Sequence, residues 1–548
     1  MKTYVTLIFL YFILTSNVYG QTTNIVESEG IKNPLHQANI GKITFMSELI
    51  PIDEYKESDF LQEFVFNEKS NLFIRTFMDN SLTNYLHTLK PELTVEQLTQ
   101  NGNFQFSFYV DSKLIYTANV SPGAFGTENK NAKTVFDLPL QSVEEVDSWG
   151  WYMWLRFMMN GGEDALTAGE HLLKIELRPY LKTPELIAGD LIAQGQIKLN
   201  VVKPLVDPLK IEIQEIKFNS DWEVSTDNYD KEKIKELNLK IAENYFKKIT
   251  SIVVIKDGKL LIEEYFNGAG QDTLHNTRSV GKSFASTLMG IAINDGFIKN
   301  ENQTLDEFYD LKTFENYSAK KDSVTIKSLL TMSSAFAADD NDDQSPGNEN
   351  NMYDRENWVR WALNLPMTSD RNIGEKWVYF TGGAVVLGDI INKSVPGGLE
   401  KYAEEKLFKP LAIDRYQWGY TPQHVPNTAG GLTLTSLGLA KFGQLYKNQG
   451  MWKGKQVIPK EWVIQSFQPY QQTDYGDKYG YLFWNKIYKV DGKQFETFYC
   501  GGNGGNKIFI FKDVPLVIIV TATAYNKPYM HQQVDKMMEK YILPAVIK

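Results

Sequence analysis

Apolar and polar residues alternate with period two along several stretches of the first two hundred positions. Phe104, Phe106, Phe108 and Val110 are interleaved with Gln105, Ser107 and Tyr109 before a turn signal at Asp111-Ser112-Lys113. Leu191, Ala193, Gly195, Ile197, Leu199 and Val201 repeat the alternation, and Gly169 to Leu177, "GEHLLKIEL", supplies another such run. A strand turns successive side chains to opposite faces, so this pattern predicts strands with one buried face. Residues from about 40 to 202 are therefore read as a β-sandwich. Trp149, Trp151 and Trp154 fall inside it. On strands such aromatics are ordinarily core; the competing reading is a stacking platform through which this module contacts cell wall or carbohydrate.

The pattern changes after "VVKPLVDPLK", Val201 to Lys210, where Pro204 and Pro208 mark an extended connector. Ile234, Leu237, Ile241 and Tyr245 recur at helical spacing. Two apolar runs then follow, 252–255 and 260–266, joined through Asp257-Gly258, a strong hairpin signal. Near the other end, Ile508–Phe511 and Leu516–Thr521 also read as paired strands, followed by a helix carrying Val534, Met537, Met538 and Tyr541. First and last strands are expected to share one antiparallel sheet with the terminal helices against it. Residues 280 to 480 read mostly as helix and loop, a helical subdomain inserted into the sheet domain. The acidic run Ala337 to Asn351, "AADDNDDQSPGNENN", lacks EF-hand spacing and reads as a solvated loop.

Composition narrows the function. The chain has 548 residues, 43% hydrophobic and 23% charged, with 57 basic against 67 acidic side chains for a net charge of −10. No basic cluster stands out, so a nucleic-acid partner is not expected. Lys2, the apolar run Val5–Leu14 and the weakly polar end before Gln21 read as a signal peptide cleaved after Gly20. The expected organisation is a signal peptide, 1–20, an all-β sandwich-like accessory domain, 21–205, and a second domain, 206–548, in an exported protein, periplasmic or secreted, without a transmembrane segment. Cys500 is the only cysteine, so no intramolecular disulfide is available. The six histidines show no close ligand spacing; no metal site and no cofactor are implied.

The chemistry turns on Asn276 to Ser283, "NTRSVGKS". Gly281-Lys282-Ser283 matches the end of a P-loop, but the first glycine that motif needs falls on Asn276, and no buried strand runs directly into it. Ser279-Val280-Gly281-Lys282 is also S-x-x-K. Phe284, Leu288, Ile291 and Ala292 continue at helical spacing to Asp295-Gly296. Ser279 is thus expected at a helix N-terminus, with Lys282 one turn on and on the same face. A serine hydroxyl is a weak nucleophile until a base takes its proton, and Lys282 is the base within reach.

From about 220 to 545 the chain resembles the serine β-lactamase and penicillin-binding-protein superfamily, in particular the class C-like branch that also contains esterases and amide hydrolases. The resemblance rests on "ITSIVVIKDGKLLIEEYFNG", "NTRSVGKSFASTLMGIAINDGFI", "TIKSLLTMSS", "IGEKWVYFTGGAVVLGDII", "AGGLTLTSLGLAKFGQLY" and "YCGGNGGNKIFIF", in that order. It implies an α+β fold, an antiparallel sheet flanked by helices with a helical subdomain. It implies Ser279 as nucleophile, Lys282 as proton acceptor and Tyr379, in Tyr379-Phe380-Thr381, as proton shuttle. Thr381 stands where the family has an asparagine that contacts the substrate's acyl amide. The third motif, ordinarily Lys or His, any residue, Gly, corresponds to Cys500-Gly501-Gly502, with Asn503 offering an oxyanion N–H. Thr381 and Cys500 remove an amide and a cation, which disfavours carboxylate-bearing β-lactams. The expected activity is a serine hydrolase on small-molecule or peptide esters or amides. The alternative is a non-catalytic envelope protein that binds cell-wall fragments or acyl compounds.

Overall fold

The computed structural model describes residues 24–67, 69–142, 148–217 and 222–547. The expected signal peptide lies outside them. The chain divides into two compact units that part between Lys203 and Pro204. No helix among the described residues is long and apolar enough to cross a membrane.

The first unit packs two sheets around one core. One sheet has the order Ile43–Met46, Leu72–Phe77, Val135–Gln141; the other has the order Glu63–Phe66, Ala193–Val201, Gly169–Lys182, Gly102–Val110, Lys113–Asn119, with Leu186–Ala188 added beside Gly169–Lys182. The alternating residues behave as their pattern predicts. Phe104, Phe106, Phe108 and Val110 are buried, as are Ala193, Ile197, Leu199 and Val201, in a core shared with Ile43, Phe45, Ile74 and Leu138 of the other sheet. Each such aliphatic or aromatic side chain contributes about 1.5–3 kcal/mol by leaving water.

The expectation of strands throughout is corrected by helices at Leu82–Leu89, Val95–Asn101, Gly126–Ala132 and Trp149–Phe157. The tryptophans therefore sit on a helix, capped by the Ser148 hydroxyl, which accepts the Trp151 N–H at 3.3 Å. Trp154 is core, edge-on to Phe66 and Phe108 at 5.6 and 6.1 Å, whereas Trp149 is 43% exposed.

In the second unit helix α1, Lys231–Ala242, precedes strands β1, Ile249–Lys256, and β2, Lys259–Tyr265. Asp257 and Gly258 both take positive φ, +50° and +76°, which matches the turn to the twist of the two strands. Helix α2, Gly281–Asn294, and helix α3, Thr381–Ser394, belong to a largely helical region. The chain then returns to the sheet through β3, Gln471–Gln472, β4, Lys478–Tyr479, β5, Trp484–Val490, β6, Lys493–Gly502, β7, Asn506–Phe511, and β8, Leu516–Ala522. The sheet order is β2-β1-β8-β7-β6-β5-β4-β3, with every pair antiparallel. First and last strands do meet, with Ile252 opposite Val520.

β1 is apolar on both faces because both are covered. Ile252 and Val254 face a core with Ile234, Leu237 and Ile241 of α1 and the C-terminal Val534, Met537 and Met538. Val253 and Ile255 face a second core that contains Phe284 and Leu288 of α2. This second core seats the helix that begins at the expected nucleophile.

Candidate active site

Ser279 lies in a single turn, Arg278–Val280, that runs into α2. The segment before it is held along one short strand, Leu432–Leu434. His275 and Asn276 pair with Leu434 and Thr433, and the Thr277 hydroxyl donates to the Leu432 carbonyl at 2.6 Å. The Asn276 side chain accepts the Arg278 N–H at 3.1 Å, and Arg278 takes φ +51°, a left-handed conformation rare for a side chain of its size. Such geometry persists only where surrounding bonds over-determine it, and it lifts Ser279 to a half-buried position at the helix start.

Lys282, one turn on, is 2% exposed. Its Nζ donates to Ser279 Oγ at 2.8 Å and to the carbonyl of Ala429 at 2.8 Å, and it lies 5.1 Å from the centre of the Tyr379 ring. The three residues expected to move protons are thus neighbours. The Ala429 carbonyl fixes the amine so that its approach to the hydroxyl does not depend on a mobile side chain. Tyr379 is half-buried between Trp377 at 6.0 Å and Trp484, nearly parallel to it at 6.2 Å.

The third-motif strand closes on the turn that carries Ser279 at Gly502. A Cβ on Gly502 would lie 2.2 Å from the Thr277 carbonyl oxygen and 3.2 Å from the Val280 nitrogen, so only glycine allows this approach. β5 pairs with β6 only as far as Trp484 opposite Tyr499, while β7 continues to Gly502 opposite Asn506. Cys500 to Gly502 consequently present one unpaired edge. Asn503 follows, half-buried, its side chain bonded to Asn526 in both directions.

Two expected contact residues are corrected. Cys500 is 0% exposed and faces the core shared with Ile508 and Ile510, opposite in the pleat to Tyr499 and Gly501. Burial pushes its thiol up to about 12. It is part of the packing under α2 and not a wall of the cleft. Thr381 is 2% exposed at the first position of α3, with its N–H donated to Asp340 Oδ2 at 2.7 Å. Its side chain is likewise enclosed.

The acidic run is corrected as well. Asp342 and Asp343 are exposed as expected, but Ser345 and Asn348 are buried. The Asp340 N–H donates to the Tyr379 carbonyl at 2.9 Å, and its Oδ1 accepts the Glu349 N–H at 2.8 Å. Burial first, then the Glu349 charge, push the Asp340 carboxyl up to about 6 against the bonds from Thr381 and the charge of Lys282. Nothing in an acidic, asparagine-rich run distinguishes this one aspartate from its neighbours. Ala429 also escaped notice as a lysine anchor, because a carbonyl leaves no trace in side-chain type. Trp484 escaped too: its indole Nε1 lies 3.6 Å from where a Gly501 Cβ would be, and its ring covers Tyr379, a link between second and third motifs that only the fold reveals.

Comparison with solved structures finds similar folds at low identity. An octameric penicillin-binding protein homologue from Pyrococcus abyssi is 20% identical over 55% of this chain and 75% of its own, with a TM-score of 0.44. A penicillin binding protein from Bacillus halodurans is 16% identical over 55% and 98%, with a TM-score of 0.43. A family VIII carboxylesterase is 15% identical over 59% and 98%, with a TM-score of 0.44. Comparison with curated proteins finds no match. The Beta-lactamase family model matches residues 248–538, more than half of the chain and all of the site described above. The chain belongs to the beta-lactamase family, a family of hydrolases.

Proposed function

We propose that the protein is an exported serine hydrolase, periplasmic or secreted, that cleaves esters or amides through an acyl-enzyme on Ser279. The observation that carries this reading is the 2.8 Å contact between Lys282 Nζ and Ser279 Oγ, with the amine held from behind by Ala429. As Ser279 Oγ bonds to the substrate carbonyl carbon, its proton passes to Lys282. Tyr379, beside the lysine, relays a proton to the departing alkoxide or amine as the old carbonyl-to-leaving-group bond breaks. Water then attacks the acyl-enzyme by the reverse proton path and frees Ser279. The N–H groups of Ser279 and Asn503 are the oxyanion donors, each worth about 10²- to 10³-fold in this chemistry. The unpaired edge at Gly501 and Gly502 lets a substrate lie close to the backbone.

The proposed substrate class rests on what positions 381 and 500 do not offer. With Cys500 turned into the core and Thr381 enclosed, neither the cation nor the amide used on a carboxylate-bearing β-lactam is offered by these positions. Esters or amides without an essential carboxylate fit better. Export rests on the apolar run Val5–Leu14 behind Lys2.

A fluorophosphonate probe tests the reading. It is expected to label the wild type and not Ser279→Ala, and Lys282→Ala is expected to lower kcat on a short acyl ester by at least about 10³. Nitrocefin turnover is expected far below ester turnover. Labelling undiminished in Ser279→Ala, or near-normal turnover in Lys282→Ala, overturns the mechanism.

A further inference from the structure

Helix α3 begins at the last residue of the second motif, Thr381, and its N-cap position is Phe380, a residue with no side-chain acceptor. The first helical N–H, that of Thr381, is nevertheless satisfied by the carboxylate of Asp340, 41 positions earlier in the chain. The other oxygen of that carboxylate accepts the Glu349 N–H, and the main-chain N–H of Asp340 donates to the Tyr379 carbonyl. Asp340 thereby bonds both sides of the Tyr379-Phe380-Thr381 turn, one through its backbone and one through its side chain. A negative charge at a helix start is also favoured by the N–H groups of the first turn, which have no acceptor within the helix.

We propose that Asp340 is the positioning residue for Tyr379: as a carboxylate it clamps the 339–349 loop to the second-motif turn and holds the tyrosine where it meets Lys282. The proposal rests on the hydrolase reading above for what Tyr379 does, not for where it is held. It requires the ionised acid, because two N–H groups need two acceptor oxygens. Protonation turns one oxygen into a donor aimed at another donor, as an asparagine amide would.

The charged groups facing Asp340 act in opposite directions. Glu349, at the N-cap of the short helix beside it, disfavours its charge, while Lys282 on α2 and the Thr381 N–H favour it; Tyr353 on that helix, its phenol pushed up partly by Asp340 itself, stays uncharged. Burial, with the Glu349 charge added to it, puts its proton uptake near pH 6, above the ordinary carboxylate range. The native state therefore holds this proton more tightly than the unfolded chain does. Stability is lost as pH rises through the interval between the ordinary value and about 6, while the clamp is gained. A group kept charged at neutral pH at a cost in stability is being kept for its geometry.

The test combines hydrogen–deuterium exchange with kinetics on the full chain. In Asp340→Asn, peptides covering 379–383 are expected to exchange at least about 10-fold faster than in the wild type at pH 8, with kcat on an acyl ester about 10- to 100-fold lower and KM little changed. The wild type is expected to show the same opening of 379–383, and a fall in fluorophosphonate labelling rate, as pH drops through about 6; the Asn variant is expected to lose that acid limb. Asp340→Glu, still a carboxylate, is expected to recover part of the protection and to keep an acid limb. If Asp340→Asn does not fold, the pH dependence of wild-type exchange decides. Unchanged protection of 379–383 in the variant, or across pH 5 to 8 in the wild type, overturns the clamp. Changed protection with unchanged kcat and an unchanged acid limb overturns its role in positioning the tyrosine. Absence of labelling in the wild type at every pH removes the hydrolase reading instead, and the exchange result still decides whether Asp340 holds the turn.

Discussion

Cys500 is the residue at which motif position and side-chain direction part company. Its place in the third motif is legible in sequence, because the two glycines after it mark the strand end that approaches the turn carrying Ser279. Its orientation is not, since a strand shows alternate residues to opposite faces and a single cysteine suits either one. The pairing Cys500 opposite Ile508 sends it into the core above which α2 lies. A thiol that is fully enclosed and pushed up to about 12 has almost no thiolate at neutral pH. The native protein is therefore expected to bind no Ellman's reagent over an hour at pH 8, to release one equivalent of chromophore after denaturation, and to keep full ester turnover after iodoacetamide. Rapid native reaction, or inhibition by alkylation, would return Cys500 to the cleft. Ser279 and Lys282 are legible as a pair for a different reason: helical spacing alone binds them together, so local sequence determines their distance, whereas Tyr379 is placed in advance only by the family resemblance. Asp340 reaches its partners across 41 positions, and only tertiary structure brings it there.

At the scale of elements, the strand end of β6 and the turn before α2 are in contact through a glycine, and the two glycines of the motif are not equivalent. A methyl on Gly502 meets backbone, the Thr277 carbonyl at 2.2 Å and the Val280 nitrogen at 3.2 Å, neither of which can swing aside. A methyl on Gly501 meets the end of a side chain, Lys507 Nζ at 3.2 Å. Gly502→Ala is expected to destabilise by about 1–3 kcal/mol, as overpacking does, and to lower kcat at least about 10²-fold by drawing Asn503 away from the oxyanion. Gly501→Ala is expected to cost less than about 1 kcal/mol and to keep most of the activity. Denaturant melts and ester kinetics on the two variants decide it, and equal effects would show that the contact does not control the site. The same scale explains which elements could be read in advance. Asp257-Gly258 specifies a hairpin by backbone conformation alone. Trp149–Phe157 deceived because aromatic residues favour strands, although the buried Trp151, Trp154 and Phe157 recur every three residues, and that period was the truer signal.

For the whole molecule, burial is organised within each unit. One core gathers residues from Ile43 to Val201, and two others gather residues from Trp222 to Val546. The stretch from Val202 to Leu209 is poor in burial: Leu205 is 104% and Leu209 87% exposed, with Pro204 and Pro208 beside them. Apolar side chains left in water beside two prolines belong to neither core, and the backbone around them has little packing to protect it. Every group assigned to the chemistry, from Ser279 to Asn503, lies in the second unit. Limited proteolysis is expected to cut first between Val202 and Ile211. A chain beginning at Pro204 is expected to fold, to be labelled by fluorophosphonate, and to turn over a short acyl ester within about 3-fold of the full-length rate, since additive behaviour holds between groups that share no partners. Its unfolding should match one of two transitions in the intact protein, the other belonging to the sandwich. Loss of labelling in a folded 204–548 fragment would mean that the sandwich unit completes the site, and would move the search for its role from an accessory surface to the reaction itself.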